Sequence, residues 1–357
     1  MLRTVKVHRM SLQNNHHAIN VSLPKTLGIN NLANLIEALS QIGTGAGDVT
    51  LDCANVTFVD PLGMTVLAAA LEPLSKSRRV SMPWLPTKIA GYMERMDFFN
   101  GIPVEGVNVP KNRIRNDQRS NLLEITRVVD AGKSETVADQ LATAIVGKVI
   151  GRGPKPVNFN APDIEYDQYY RPLRYALSEL IENALTHAKR EGAFDASVWV
   201  AAQYYKDQQN GGRIQVAVVD NGCGFLATLQ NHSELRAKTH AEAIRTALKP
   251  KVSCNRDMGP FGESVNEGVG LTTTVRIAKA TGGSVYIVSG DALFVDSELS
   301  SVKRRDQVQS LDGAWNGVAI SATFVCQKLP AIRIDQLLPS VDRPKAAENP
   351  VIFRFDD

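Results

Sequence analysis

The sequence predicts an α/β protein of two units joined by a polar connector, and three observations predict it. Short strand-like and helical segments alternate in a βαβαβα rhythm from about residue 17 to residue 105. A polar, cation-bearing stretch breaks that rhythm at residues 108–120, and further helix and strand signals fill residues 121–330. The expected division is therefore 1–107, a connector at 108–120, 121–330, and a tail at 331–357.

Composition agrees with a globular chain. The 357 residues are 43% hydrophobic and 22% charged, which excludes disorder for most of the length and leaves room for two or three domains. Lys+Arg 40 against Asp+Glu 37 gives a formal charge of +3, too balanced for nucleic acid or an anionic membrane as the main partner. Cys53, Cys223, Cys254 and Cys326 are far apart and form no CxxC pair, so they read as reduced thiols rather than a zinc site or disulfide framework. The longest apolar-rich run, residues 64–71, falls far short of the ~20 residues that span a bilayer, and the start has no signal-peptide pattern. A cytoplasmic location is the expectation.

In the first unit, strands are expected at 18–23, 49–53 and 80–84, and helices at 29–42, 61–75 and 88–99. Strands separated by helical crossovers form parallel neighbours, so a small open sheet with packed helices follows. Lys111, Arg113, Arg115 and Arg119 stand among turn formers in the connector, which reads as solvated. The second unit opens with a strand at 122–129, a helix at 135–150, and a loop holding Gly151, Gly153, Pro154 and Pro156. The tail has three prolines and a final apolar stretch, 351–355, able to add a strand to a sheet edge.

The residues that carry chemistry lie in three segments. On the helix expected at 171–190, Leu173, Leu177, Leu180, Ile181, Ala184, Leu185 and Ala188 share one apolar stripe. Glu179 and Asn183 fall on the opposite side, one turn apart, so a carboxylate and an amide oxygen can converge on one ligand; taken singly, such a pair is commonly a solvated surface pair. Next, a strand at 212–219 ends in Asp220-Asn221-Gly222-Cys223-Gly224-Phe225. This is either a tight turn or a place where a buried carboxylate reads an exocyclic amine while glycines admit a flat base or a phosphate. Third, Glu267-Gly268-Val269-Gly270-Leu271 precedes a helix at 272–280, which leads through Thr281-Gly282-Gly283 to a strand at 284–289. Glycines before a helix leave N–H groups and the positive dipole end free for phosphate. Order and spacing matter more than any one motif: Asp220 comes 37 residues after Asn183, and Gly268 comes 48 after Asp220.

ELIENALTHA (179–188), DNGCG (220–224) and GVGL (268–271) together resemble the asparagine box and two glycine boxes of the GHKL ATPases, and the first box is most similar to that of the anti-sigma-factor serine kinases. The resemblance spans about residues 122–330. It implies a Bergerat-type two-layer α/β sandwich with a mixed sheet, binding ATP and Mg²⁺ between helices and sheet. By motif, Glu179 resembles the general base, Asn183 the Mg²⁺ ligand and Asp220 the adenine reader. Gly222 and Gly224 correspond to the base-side turn, and Gly268, Val269, Gly270 and Leu271 to the phosphate-side turn. A hard cation held mainly by phosphates needs only one or two protein oxygens, which agrees with a single asparagine. The residues between Phe225 and Glu267, with a helix expected at 241–248, resemble the lid, and Arg236, Lys238, Arg245, Lys249, Lys251 and Arg256 are candidates to meet the γ-phosphate. The family often has threonine after the glycine of its final strand, supporting the aspartate; here Val318 follows Gly317, so that contact is missing or replaced.

The first unit, through VTLDC (49–53) and VTFVDPLG (56–63), is similar to the STAS fold of anti-sigma-factor antagonists over about residues 17–105. Pro61 and Leu62 stand where the antagonists carry their phospho-acceptor serine, so the resemblance implies a docking or sensing module without an acceptor. Two functions follow. One is an anti-sigma-like serine/threonine kinase acting on a protein partner, of STAS type or another regulator. The other is an ATP-hydrolysing clamp, closing as a dimer or within a larger complex such as one of stress response or phage defence. A nucleotide-binding scaffold without turnover is the third arrangement. A histidine kinase fits less well, because no long helical pair with an acceptor histidine precedes the second unit and His187 lies inside the asparagine box.

Overall fold

The computed structural model describes residues 18–43, 47–109, 122–151, 163–188, 195–207, 211–250, 252, 270–297 and 308–338. Outside them lie the connector cations, Gly153, Pro154 and Pro156, Lys251, Cys254, Arg256, Glu267 to Val269, and the tail beyond Leu338.

The first unit contains β1 (Ile19–Ser22), β2 (Thr26–Leu27), α1 (Leu32–Ser40), β3 (Val49–Asp52), β4 (Phe58–Val59), α2 (Pro61–Ser75), β5 (Val80–Ser81) and α3 (Thr87–Arg95). The parallel order β1-β3-β5, with β2 beside β4, is the arrangement that helical crossovers dictate. Helix α1 buries Leu32, Leu35, Ile36 and Leu39 on one stripe. Helix α2 starts at Pro61 because Asp60 caps it, its carboxylate accepting the Gly63 N–H at 2.9 Å, and because proline at the first turn loses no hydrogen bond. From Pro61 to Ala69 every residue of α2 is buried. A helix apolar on all sides needs cover on all sides.

That cover comes from the second unit: β6 (Leu122–Val128), α4 (Ser134–Val149), α5 (Ile164–Ala188), β7 (Val198–Tyr205), β8 (Arg213–Asp220), α6 (Gly224–Leu229), α7 (His240–Ala247), α8 (Gly270–Ala280), β9 (Ser284–Ser297), β10 (Val308–Val325) and α9 (Ile334–Leu337). Five strands form one sheet in the order β6-β7-β8-β10-β9. The sheet expected to be mixed is antiparallel at all of its described pairings. The reason is topological: β8 and β9, joined through the helices α6 to α8, run the same way, but β10 returns antiparallel and inserts between them.

The alternation of side chains along each strand divides this sheet between two cores. Val198, Val200, Ala202, Ile214, Val216 and Val218 meet Leu173, Leu177, Leu180 and Ile181 of α5 on one face. Trp199, Ala201, Ala217, Val219 and Ala319 turn the other way and join the core of the first unit. Small side chains at Ala201 and Ala217 let α2 lie close across β7 and β8, while α1 lies against β10. Gly313 of β10 sits so near the α1 backbone at Glu37 that a Cβ would overlap it.

Polar contacts complete this junction. Tyr92 donates its hydroxyl to Gln203 (2.7 Å), Arg95 pairs with Glu124 (2.8 Å), and the Ile125 N–H bonds the Met96 carbonyl (3.0 Å). Glu72 of α2, buried, pairs with Arg127 at 2.6 Å and Lys76 at 3.0 Å and accepts the Ser197 hydroxyl. Burial would raise the Glu72 carboxyl, but the Ser197 and Lys76 hydrogen bonds and the Arg127 charge outweigh it and hold the group below its ordinary range. Its stabilisation is thus present above the unfolded carboxyl value and lost as pH falls through the lower folded one. Glu72→Ala strands the buried Ser197 hydroxyl and is expected to cost about 1–3 kcal/mol, read as a lower urea midpoint.

Candidate functional site

A cavity of about 370 Å³ opens between α5, the end of β8 and the start of α8. The 25-residue helix α5 spans the sheet and presents Tyr175, Glu179, Glu182, Asn183 and Thr186 along one wall, each a helical turn or less from the next. Glu179 and Asn183, expected opposite the apolar stripe, do lie off it, and they face this cavity.

Strand β8 ends in Asp220, whose side chain is buried and also lines the cavity. Burial pushes its carboxyl up to about 7 against two hydrogen bonds that oppose the shift, from the Gly222 N–H (2.9 Å) and the Val318 N–H. Val318, where the resemblance expects a threonine, meets the Asp220 carboxylate through its main-chain N–H. The Trp315 indole donates to the Asp220 carbonyl (3.0 Å), and Gly317, at φ +112°, abuts Asp220 so closely that a Cβ would overlap its main-chain oxygen. Gly222 packs on the last turn of α5 at Ala188. Gly224, at φ +73°, starts α6 beside Ser289, whose hydroxyl accepts the Phe225 N–H (3.0 Å) and donates to the Gly317 carbonyl (3.0 Å).

Gly270 is the first residue of α8, and the Glu179 carboxylate lies directly over it; a Cβ there would overlap Glu179 Oε2. This contact joins the first and third motifs. The Glu179 carboxyl is raised above its ordinary value by burial and by the charges of Glu182 and Glu135, against a hydrogen bond from Tyr175. Gly270 and Leu271 line the cavity, Gly222 supports it from behind, and Gly268 and Val269 lie outside the described residues.

Of the lid cations, the described Arg236, Lys238, Arg245 and Lys249 are not at the cavity wall, and Lys251 and Arg256 lie outside the described residues. Arg245 pairs with Glu242 (3.7 Å) and Lys249 with Glu234 (3.2 Å), Arg236 and Lys238 are exposed, and among the described residues the lining has no lysine or arginine. Sequence reasoning did not assign Tyr175, Phe225, Thr228, Ser289, Trp315, Val318 or Leu338 to the site. Ser289 ends the strand expected at 284–289, and its polarity at a buried position was the one available signal.

The arrangement suits a purine nucleotide. Val218, Ile320, Leu180 and Phe225 provide apolar walls, and Asp220 places a buried carboxyl in the same cavity. Glu179 and Asn183 supply oxygens beside Gly270 at the described start of α8, and a helix N-terminus favours anions. Among the described residues no three acidic, His or Cys side chains cluster as a metal cage.

Residues 168–309 match the family model of histidine kinase-, DNA gyrase B- and HSP90-like ATPases, a GHKL-type ATPase domain that takes in all three motifs. No curated protein and no solved structure matches the chain.

Proposed function

We propose, from a GHKL-type ATPase domain as premise, that this chain is a Mg·ATP-dependent regulatory kinase of the anti-sigma type, transferring the γ-phosphoryl group to a serine or threonine of a protein partner. The observation that carries the reading is the placement of Glu179 over the first residue of α8 with Asp220 buried in the same cavity. Asp220 accepts the adenine amine. Asn183 holds Mg²⁺, which neutralises charge on the phosphates. Glu179 takes the proton of the partner hydroxyl as that oxygen bonds the γ-phosphorus and the bond to the β–γ bridging oxygen breaks, releasing ADP. A carboxyl raised by burial is a stronger base than an exposed one, which suits this task.

The first unit, read as a STAS-like module, selects the partner; Pro61 and Leu62, at the start of α2, carry no hydroxyl, so it has no acceptor there. Its shared core with the sheet favours a second reading, an ATP-hydrolysing clamp in which water is the nucleophile and the product is a conformation. We place the protein in the cytoplasm, in keeping with the buried thiols of Cys53 and Cys326, free among the described residues.

The test is γ-labelled ATP with Mg²⁺, with the protein alone and with lysate of its source cells. Label on a discrete partner is expected, falling about 10²–10⁴-fold in Glu179→Gln while nucleotide binding survives. Free phosphate without labelled protein overturns the kinase and leaves the clamp.

A further inference from the structure

The Asp220–Asn221 turn is tied to the first unit by a lock that α2 is built to receive. Pro73 stands inside α2 and has no N–H, so the carbonyl four residues earlier, Ala69, has no intrahelical donor. The Asn221 side chain fills that place: its Nδ2 donates to the Ala69 oxygen at 3.0 Å. The other end of the same amide, Oδ1, accepts the Ser197 N–H at 2.8 Å, and the Ser197 hydroxyl bonds Glu72, three residues along α2. Asn221 thus bridges Ser197, the residue before β7, and α2, and is adjacent in sequence to Asp220, whose carboxylate faces the cavity. Trp315 holds the same turn from the β10 side, and its indole belongs to the core shared with the first unit.

We propose that Asn221 is a positioning residue through which docking of α2 and occupancy of the nucleotide cavity are coupled, so that the first unit is an effector of the site rather than a passive appendage. The proposal rests on the nucleotide reading above. A ligand that fixes the Asp220 turn fixes Asn221, and through Ala69 and Glu72 it tightens α2; by thermodynamic reciprocity, anything that pulls α2 away weakens the nucleotide. A partner bound to the first unit would act on the site by that route.

The experiment uses the full chain, with amide hydrogen exchange of residues 61–75 measured with and without Mg²⁺ and a non-hydrolysable ATP analogue, alongside calorimetric affinity. Nucleotide is expected to slow exchange in α2. Asn221→Ala should weaken the analogue about 5–30-fold and abolish that slowing. Pro73→Ala, which returns a competing N–H to Ala69 and improves helix propensity, should shift both readouts the same way by a smaller factor. Tyr92→Phe, which removes the Tyr92–Gln203 bond of the same junction away from the turn, should change neither. Binding to the unaltered chain without any change in α2 exchange overturns the coupling, as does a Tyr92→Phe effect equal to that of Asn221→Ala. No binding to the unaltered chain overturns the nucleotide reading and the coupling together.

Discussion

Asp220→Asn is expected to weaken ATP about 100-fold and to remove most of the pH dependence of binding. The carboxylate accepts from Gly222 and Val318 and, in the proposed complex, from the adenine amine. An asparagine turns one of its acceptor atoms into a donor facing other donors, and losing a charge-assisted bond in a buried site costs ~3 kcal/mol, which is the stated factor. In the unaltered protein the amine needs the ionised acid, whose value is about 7. Affinity should therefore fall about tenfold per unit as pH drops below 7, and calorimetry between pH 5.5 and 8 measures it. The empty protein follows the opposite sign. A carboxyl raised from 3.8 to about 7 contributes stability that is fully present below the lower value and lost as pH rises through the upper one. Nucleotide should consequently raise the melting temperature more at pH 8 than at pH 6, and an equal rise at both would contradict the role given to Asp220.

Gly317→Ala should be a severely damaging single-methyl change at the site. At φ +112° an L-residue is strained, and the added carbon would overlap the Asp220 main-chain oxygen and stand 2.7 Å from Oδ1. Neither neighbour can yield, since one is backbone and the other is held by two N–H groups. The expected loss exceeds ~3 kcal/mol in urea unfolding, together with loss of nucleotide binding. Gly43→Ala is the comparison: φ is +56° but the nearest atom is 4.0 Å away, so only the left-handed backbone penalty of ~1 kcal/mol applies. Equal effects of the two substitutions would show that crowding at Asp220 is not what Gly317 relieves.

Local signals were legible where a residue's role is local. Helix α2 begins and ends at the expected residues, because Asp60-Pro61 is a strong start signal and an apolar run follows it. Glu179, Asn183 and Asp220 were singled out by helix spacing, a strand-end turn and the family resemblance together, and the cavity brings them side by side. Strand β7 was missed. Its residues 198–202 are all buried, so the strand shows no alternation of apolar and polar, and the periodicity that reveals a half-exposed strand is absent. The junction of the two units was also out of reach, since periodicity reports that a face is apolar and not what covers it. A trace of it was present in α2, whose apolar residues go all round the helix. The Val318 N–H could not be anticipated, because every residue but proline carries that donor and only the course of β10 aims this one.

The contact between Gly313 and α1 has a consequence for how the chain is made. Helices α1 and α2 leave the ribosome early, yet parts of their cover, β7, β8 and β10, are synthesised much later. At ~5–20 residues per second the interval is on the order of tens of seconds, during which an apolar surface has no native cover. Domains of many proteins mature as they emerge, first to last. Here the cover of α1 and α2 is completed only after β10 has emerged, so their nascent form keeps an apolar surface over that interval and is a natural client for chaperones.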